Sequence, residues 1–194
     1  MTPREVVLRQ LAEAIVRLRS DQPTRVAIDG VTGAGKTKLA DELAAVLADQ
    51  GIVQRISVDD FHAPEEERYR RGNESPEGYY LDTFDYPRFR DAIQELMAAS
   101  SIVIADGVFL FRPELNDLWD YRIFVSVDLE VAYQRATERD TGRPWVKRRD
   151  WLRHRYEVRY IPGERIYLEK VDPIRLADAV FENTNPLAPQ LRLP

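Results

Sequence analysis

Three sets of residues in this chain carry reactive or binding potential, and the most specific of them is a loop. Gly30-Val31-Thr32-Gly33-Ala34-Gly35-Lys36-Thr37 fits the pattern G-x-x-x-x-G-K-[ST]. Glycines there let backbone N–H groups converge on phosphate oxygens, and the positive end of the following helix adds to the attraction. Lys36 would reach the β- and γ-phosphates of a nucleotide, and the Thr37 hydroxyl would ligate Mg²⁺. No Asn-Lys pair occurs anywhere, so the N-K-x-D segment that reads guanine is missing and a GTPase is not expected.

The second set is acidic. Asp59 and Asp60 follow one predicted strand, Ile52 to Val58, and Asp106 ends another, Ser101 to Ala105. If both stretches are parallel strands, their ends meet the loop at one sheet edge, where ligands of open α/β sheets bind. One carboxylate there can hold Mg²⁺ and another can accept a proton from an attacking hydroxyl. The bland alternative for any one of them is a turn or helix cap.

The third set is basic. From Arg135 to Lys170, eleven Arg and Lys stand against six Asp and Glu, on a chain whose net charge is -5. Such a surplus suits a lid over small anions, about residues 139–150, and the aromatics interleaved from Asp150 to Lys170 would also suit stacked RNA bases. The acidic total argues against long phosphate backbones, so no nucleic-acid partner is expected. Arg155, Arg159 and Arg165 are candidate substrate contacts, with Arg159 retained. Trp119, Trp145 and Trp151 are read as packing.

Those residues need elements to position them. Thr2-Pro3-Arg4-Glu5 starts a helix spanning about 3–19, with Thr2 as N-cap and Glu5 closing a capping box. Arg25 to Asp29 is a short strand that feeds the loop, and Lys36 to Gln50 is a helix with Gly51 as its C-cap. Residues 59–86 show little apolar periodicity but many aromatic and charged side chains, the profile of a functional loop or lid. Arg88 to Ala99 and Glu130 to Arg139 read as helices, and Tyr121 to Val127 and Asp178 to Glu182 as strands. Asn183-Thr184-Asn185-Pro186 closes the last strand, either as a turn or beside an adenine ring. Strands alternating with helices give an α/β fold, a P-loop NTPase-type parallel sheet flanked by helices with an arginine-rich lid, in one domain over 1–194.

Composition narrows the classes further. The chain has 194 residues, 44% hydrophobic and 31% charged, the profile of an ordinary globular protein. With no cysteine it has no disulfides, thiol nucleophile or thiolate metal site. No apolar run reaches the roughly 18 residues of a membrane span. Arg4, Glu5, Arg9, Glu13 and Arg17 interrupt any leader-like core. A cytoplasmic protein with no membrane partner is expected, and a homo-oligomer stays open.

The order A-I-D-G-V-T-G-A-G-K-T, S-V-D-D-F-H, F-D-Y-P, I-A-D-G-V-F-L, R-A-T-E-R-D and A-D-A-V-F-E-N-T-N-P runs from about Arg25 to Pro186. It resembles the uridine kinase/phosphoribulokinase/pantothenate kinase family of P-loop kinases. The resemblance implies transfer of the γ-phosphoryl group of ATP, with Mg²⁺, to a hydroxyl of a small molecule. It assigns ATP to Gly30 through Thr37 with Arg135 and Arg139, and the catalytic base to Asp59. Lys36, Arg139 and Arg143 would stabilise the transferring charge. Thr37 and Asp106 would hold the metal. Asp106 stands where the family carries Glu, one methylene longer, so contact through water is expected. Phe61, His62, Phe84 and Asp85 would border the acceptor. Only about twenty residues separate Asp85 from Asp106, so the family's uracil-reading hairpin is missing and the acceptor stays open among nucleoside, pantothenate-like alcohol and sugar. The rival reading is a regulator that binds nucleotide and transfers nothing, which would not need both Asp59 and Asp85.

Overall fold

The computed structural model describes residues 1–18, 22–98, 100–143 and 148–193. The first helix, α1 (Pro3–Arg17), opens with the expected capping box: Thr2 Oγ1 accepts the Glu5 N–H at 3.2 Å and Glu5 Oε2 accepts the Thr2 N–H at 2.8 Å. It is followed by β1 (Thr24–Asp29), α2 (Lys36–Leu47) and β2 (Val53–Ser57). The chain continues through α3 (Glu65–Arg68), α4 (Pro76–Asp82), α5 (Tyr86–Met97), β3 (Ile102–Gly107), β4 (Tyr121–Ser126) and α6 (Leu129–Thr141). Then come α7 (Arg149–Arg155), a π-helical turn over Tyr156–Tyr160, α8 (Ile161–Val171), α9 (Pro173–Leu176), β5 (Ala179–Glu182) and β6 (Gln190–Arg192).

The six strands form one sheet in the order β2-β3-β1-β4-β5-β6, parallel except for the β5–β6 pair. The antiparallel edge strand β6 had no signal in the sequence. The pleat divides β1 between two apolar layers. Val26 and Ile28 pack with Leu11, Leu39, Leu43, Ile104, Val125 and Phe181 on the α1–α2 side. Ala27 faces Phe89, Ile93, Phe109, Phe111, Trp119 and Phe124 on the other. Helices therefore cover both faces, as a parallel sheet requires. Register puts Ile28 opposite Asp106 and Ser57 opposite Asp106, so the ends of β1, β2 and β3 share one edge with the loop after β1.

Several expectations are corrected. Residues 59–86 are not simply a loop: α4 forms there, with Ser75 as N-cap accepting the Gly78 N–H at 3.0 Å and Pro76 at its start. Tyr79, Tyr80, Phe84 and Tyr86 are buried core residues. Their aromatic rings served packing, which composition cannot separate from binding. The next helix starts at Tyr86 rather than Arg88, because Asp85 caps it. Trp119 is buried, with its Nε1 donating to Leu110 O at 2.7 Å, but Trp151 is 45% exposed beneath the Arg155 guanidinium. Trp145, the end of the first helix at residue 19, Ala99 and the middle of the lid at 144–147 lie outside the described residues.

Candidate active site

The loop after β1 must turn through backbone shapes that favour glycine. Gly33 has φ +84, and a Cβ there would fall 2.0 Å from the Ala132 carbonyl oxygen on α6. Within the loop, several backbone groups already have fixed partners. Gly30 N–H donates to Asp29 Oδ1 at 2.7 Å, Thr32 N–H to Glu164 Oε1 at 2.8 Å, and Ala34 N–H to Val31 O at 3.1 Å. The Ala34 carbonyl accepts the buried Asn183 Nδ2 at 2.7 Å. Among the described residues, the N–H groups of Gly33, Gly35, Lys36 and Thr37 have no protein partner. Those four can converge on an anion.

Lys36 lies at the foot of this ring and folds back to donate to Val31 O at 3.0 Å. Burial pushes its ammonium below the ordinary lysine value, against the opposing pull of Glu164, Asp59, Asp29 and Asp106. Asp29 sits behind the loop, fully buried, and burial pushes its carboxyl up to about 6 despite hydrogen bonds from Tyr167 and Gly30. Burial likewise raises Glu164 above the ordinary carboxylate value.

A cavity of about 260 Å³ opens in front of the loop. Thr32, Gly33, Gly35, Lys36 and Thr37 line one wall, and Asp59, Tyr79, Asp106 and Arg139 line the other. The structure thus brings together the loop, Asp59 and Arg139 from residues far apart in the chain. Asp59 is exposed on a 3₁₀ turn, Val58–Phe61, that continues directly from β2. His62 secures that turn: its Nδ1 lies 2.7 Å from the Asp59 carbonyl oxygen, so Nδ1 carries the proton and donates. His62 also forms a backbone bridge with Phe84, and Asp85 N–H donates to Phe61 O at 2.8 Å.

Thr37 and Asp106 meet, with the Thr37 hydroxyl donating to Asp106 Oδ2 at 2.8 Å. A hydroxyl and a carboxylate at the rim of a phosphate loop are hard oxygen donors of the kind Mg²⁺ takes alongside phosphate oxygens and water. Among the described residues no cluster of three His, Cys, Asp or Glu could form a protein-only cage. By their donor chemistry Thr37 and Asp106 fit a Mg²⁺ shared with phosphate oxygens. One partner was missed: Arg55 on β2 donates to the other Asp106 oxygen and also pairs with Asp41. A strand arginine carries no local signal for this contact.

The basic residues divide. Arg139 lies on the cavity and pairs side-on with Asp140, at 2.7 and 3.1 Å, while Tyr156 donates to the same carboxylate at 2.7 Å. Arg143 stands exposed just past the end of α6. Arg135, expected on the phosphates, instead donates to Asn183 O at 3.0 Å and Thr184 O at 2.8 Å, tying α6 to the turn after β5. Arg159, expected at the substrate, is 2% exposed and donates to the carbonyls of Arg68, Gly72 and Ser75. Its guanidinium organises the segment before α4, so a direct substrate contact is corrected to an architectural one.

On the acceptor side, Phe61 packs edge-on against Phe89 with Arg88 over its ring, and Phe84 is buried against His62. Asp85 Oδ1 accepts the Arg88 N–H at 3.0 Å as the α5 cap. α5 ends at Met97 and β3 begins at Ile102, so no hairpin intervenes.

Known proteins are similar to this chain in sequence and in fold. The chain is 29% identical over 145 residues to a uridine kinase of Leuconostoc citreum, spanning 61% of this chain and 69% of that one. It is 26% identical over 144 residues to uridine kinase-like protein 4 of Arabidopsis thaliana, across 62% of this chain and 30% of that protein. The chain is thus similar in sequence to proteins named uridine kinase and uridine kinase-like. No protein-family model matches it. Its fold is shared with a Bacillus stearothermophilus structure described as a "Possible Uridine Kinase", at TM-score 0.68 and 24% identity over 89% of this chain and 96% of that one. It is shared also with D-glycerate 3-kinase of Cryptococcus neoformans, at TM-score 0.62 and 12% identity over 91% and 94%. Among the described residues, no helix is long and apolar enough to cross a membrane.

Proposed function

We propose that this kinase transfers the γ-phosphoryl group of ATP to a hydroxyl of a small molecule, with Asp59 as the base. The observation that carries this reading is the single cavity holding Lys36, Thr37, Asp59, Asp106 and Arg139. The free N–H groups of Gly33, Gly35, Lys36 and Thr37 hold the nucleotide phosphates. Mg²⁺, held by Thr37 and by Asp106, supplies neutralisation of phosphate charge when bound. Lys36 swings from the Val31 carbonyl to the transferring group, and Arg139 approaches from the opposite wall. The acceptor oxygen forms a bond to the γ-phosphorus as the bond to the β-phosphate bridging oxygen breaks. The acceptor proton passes to Asp59, and ADP leaves. Phe61 and Asp85 border the acceptor, and Tyr79 closes the cavity beside Thr32.

The missing hairpin supports an acceptor read by ribose-like or polyol hydroxyls rather than by a pyrimidine ring. ADP release measured across nucleosides, sugars, sugar acids and pantothenate-like alcohols tests this. One class should stimulate turnover well above the rate without acceptor. Equal turnover with every acceptor, or transfer undiminished in Asp59→Asn, overturns the reading.

A further inference from the structure

Helix α8 lies outside the strand–loop–helix unit that binds phosphate, yet two side chains one turn apart reach into it. Glu164 is 7% exposed and accepts the Thr32 N–H at 2.8 Å. Tyr167 is 2% exposed and donates its hydroxyl to Asp29, whose other oxygen accepts the Gly30 N–H at 2.7 Å. The stretch Gly30–Thr32 is thereby fixed at both ends from one helix face.

A buried carboxylate costs several kcal/mol unless hydrogen bonds or a cation compensate it. Among the described residues Glu164 makes no ion pair; its compensation is the Thr32 side chain, the Thr32 N–H and the field of Lys36. Coulomb's law alone speaks against this placement, because a negative charge near Lys36 repels the phosphates the loop must hold. Geometry favours it. A ring of converging N–H dipoles repels itself and relaxes unless something holds its peptides. An acceptor on Thr32 N–H stops the Val31–Thr32 peptide, whose carbonyl accepts from Ala34 N–H and Lys36 Nζ, from flipping, which keeps the following Gly33 and Gly35 N–H groups turned toward the cavity before any ligand arrives.

We propose that Glu164 is a positioning residue for nucleotide binding, acting as a fixed hydrogen-bond acceptor that holds the Thr32 peptide. The proposal rests on the reading that this loop binds nucleotide phosphates. Its direct support is the 2.8 Å bond from a buried side chain 132 residues away in the chain.

Two variants separate geometry from charge. Glu164→Gln keeps an acceptor oxygen and removes the negative charge near Lys36. Glu164→Met fills similar space and removes both. Binding of a fluorescent ADP analogue, without acceptor substrate, reads affinity independently of transfer, and amide exchange at Thr32 reads the contact itself. Glu164→Gln should bind as well as the wild type or more tightly, with Thr32 still protected. Glu164→Met should bind about 10- to 100-fold more weakly, the range for a lost hydrogen bond to a charged group, with fast exchange at Thr32. Tight binding by Glu164→Met overturns the proposal, since charge removal alone predicts that result. Equal weakening of both variants also overturns it, because the acceptor is then irrelevant. If Glu164→Met does not fold, loss of Thr32 protection in Glu164→Gln is the overturning result. Absence of ADP binding by the wild type would instead remove the nucleotide reading, before any variant is compared.

Discussion

The loop Gly30–Thr37 and the segment Val58–Asp85 face each other across the cavity. The loop is held by buried groups from three distant elements: Glu164 and Tyr167 of α8, Asn183 after β5, and the close approach of Ala132 on α6 at Gly33. Within the facing segment Tyr79, Tyr80 and Phe84 are anchored in the core, but the turn that carries Asp59 is held by exposed or half-exposed contacts. Asp59 is open to solvent, His62 braces it through one carbonyl, and Arg70 and Arg71 meet Asp82 from the surface. A preorganised wall suits phosphates, which every nucleotide presents identically, while a looser wall can admit and release an acceptor. Substitutions on the loop side should therefore cost affinity and stability together. Those on the exposed turn that carries Asp59 should cost activity and leave the fold intact.

The largest expected effect is at Asp59. Asp59→Asn should lower turnover by roughly 10²- to 10⁴-fold, the range for a lost general base, with ADP affinity and melting temperature unchanged. A fall in melting temperature of similar rank would break the contrast. Asn183→Ala comes next: it leaves the buried Ala34 carbonyl without its donor, so stability should fall by about 1–3 kcal/mol and ADP should bind more weakly. Denaturant titration and ADP-analogue binding read the two effects, and unchanged values would detach the turn after β5 from the loop.

A third prediction uses pH. The folded-state value of Asp29, about 6, lies above its ordinary value of 3.8, so folding binds its proton more tightly. The stability this contributes is complete below about pH 4 and is lost as pH rises through 6. Asp29→Asn does not titrate. Wild-type melting temperature should therefore fall relative to that variant between pH 4 and 6 and run parallel above 7. The relative loss is up to about 3 kcal/mol, at roughly 1.4 kcal/mol for each pH unit. Parallel curves throughout would show that Asp29 is not buried as a carboxyl.

Asp85 gives a smaller and sharper test. Asp85→Ala removes the α5 cap and should cost about 1 kcal/mol, whereas Asp85→Asn caps nearly as well. A rise in the acceptor KM with Asp85→Asn, at unchanged melting temperature, would separate acceptor binding from capping. The smallest effect belongs to His154, whose exposed ring nitrogen lies 2.8 Å from Glu74. His154→Ala should change stability by less than about 1 kcal/mol, as differential melting reads it.

The sheet strands and the phosphate loop were legible because their signals are local: short apolar runs, a glycine pattern, an N-cap. Asp59, Asp106 and Thr37 could be placed at one edge because parallel strands share a direction. What stayed hidden was long-range or two-valued. Tyr79 and Phe84 looked like binding residues, but a buried aromatic and a ligand-facing one have the same formula. Arg135 and Arg159 looked like phosphate or substrate contacts, yet a guanidinium satisfies carbonyls as readily as anions, and at Arg159 burial decided for carbonyls.

The order of residues alone determined that backbone N–H groups after β1 converge and that carboxylates follow β2 and β3. Those features depend on dihedral preferences and strand direction, which neighbours in the chain control. Only tertiary structure decided what holds the loop. Glu164, Tyr167 and Asn183 join it from 132 to 149 residues away. Each hydrogen bond gains its strength from burial, and burial exists only once the sheet and α8 have closed around it.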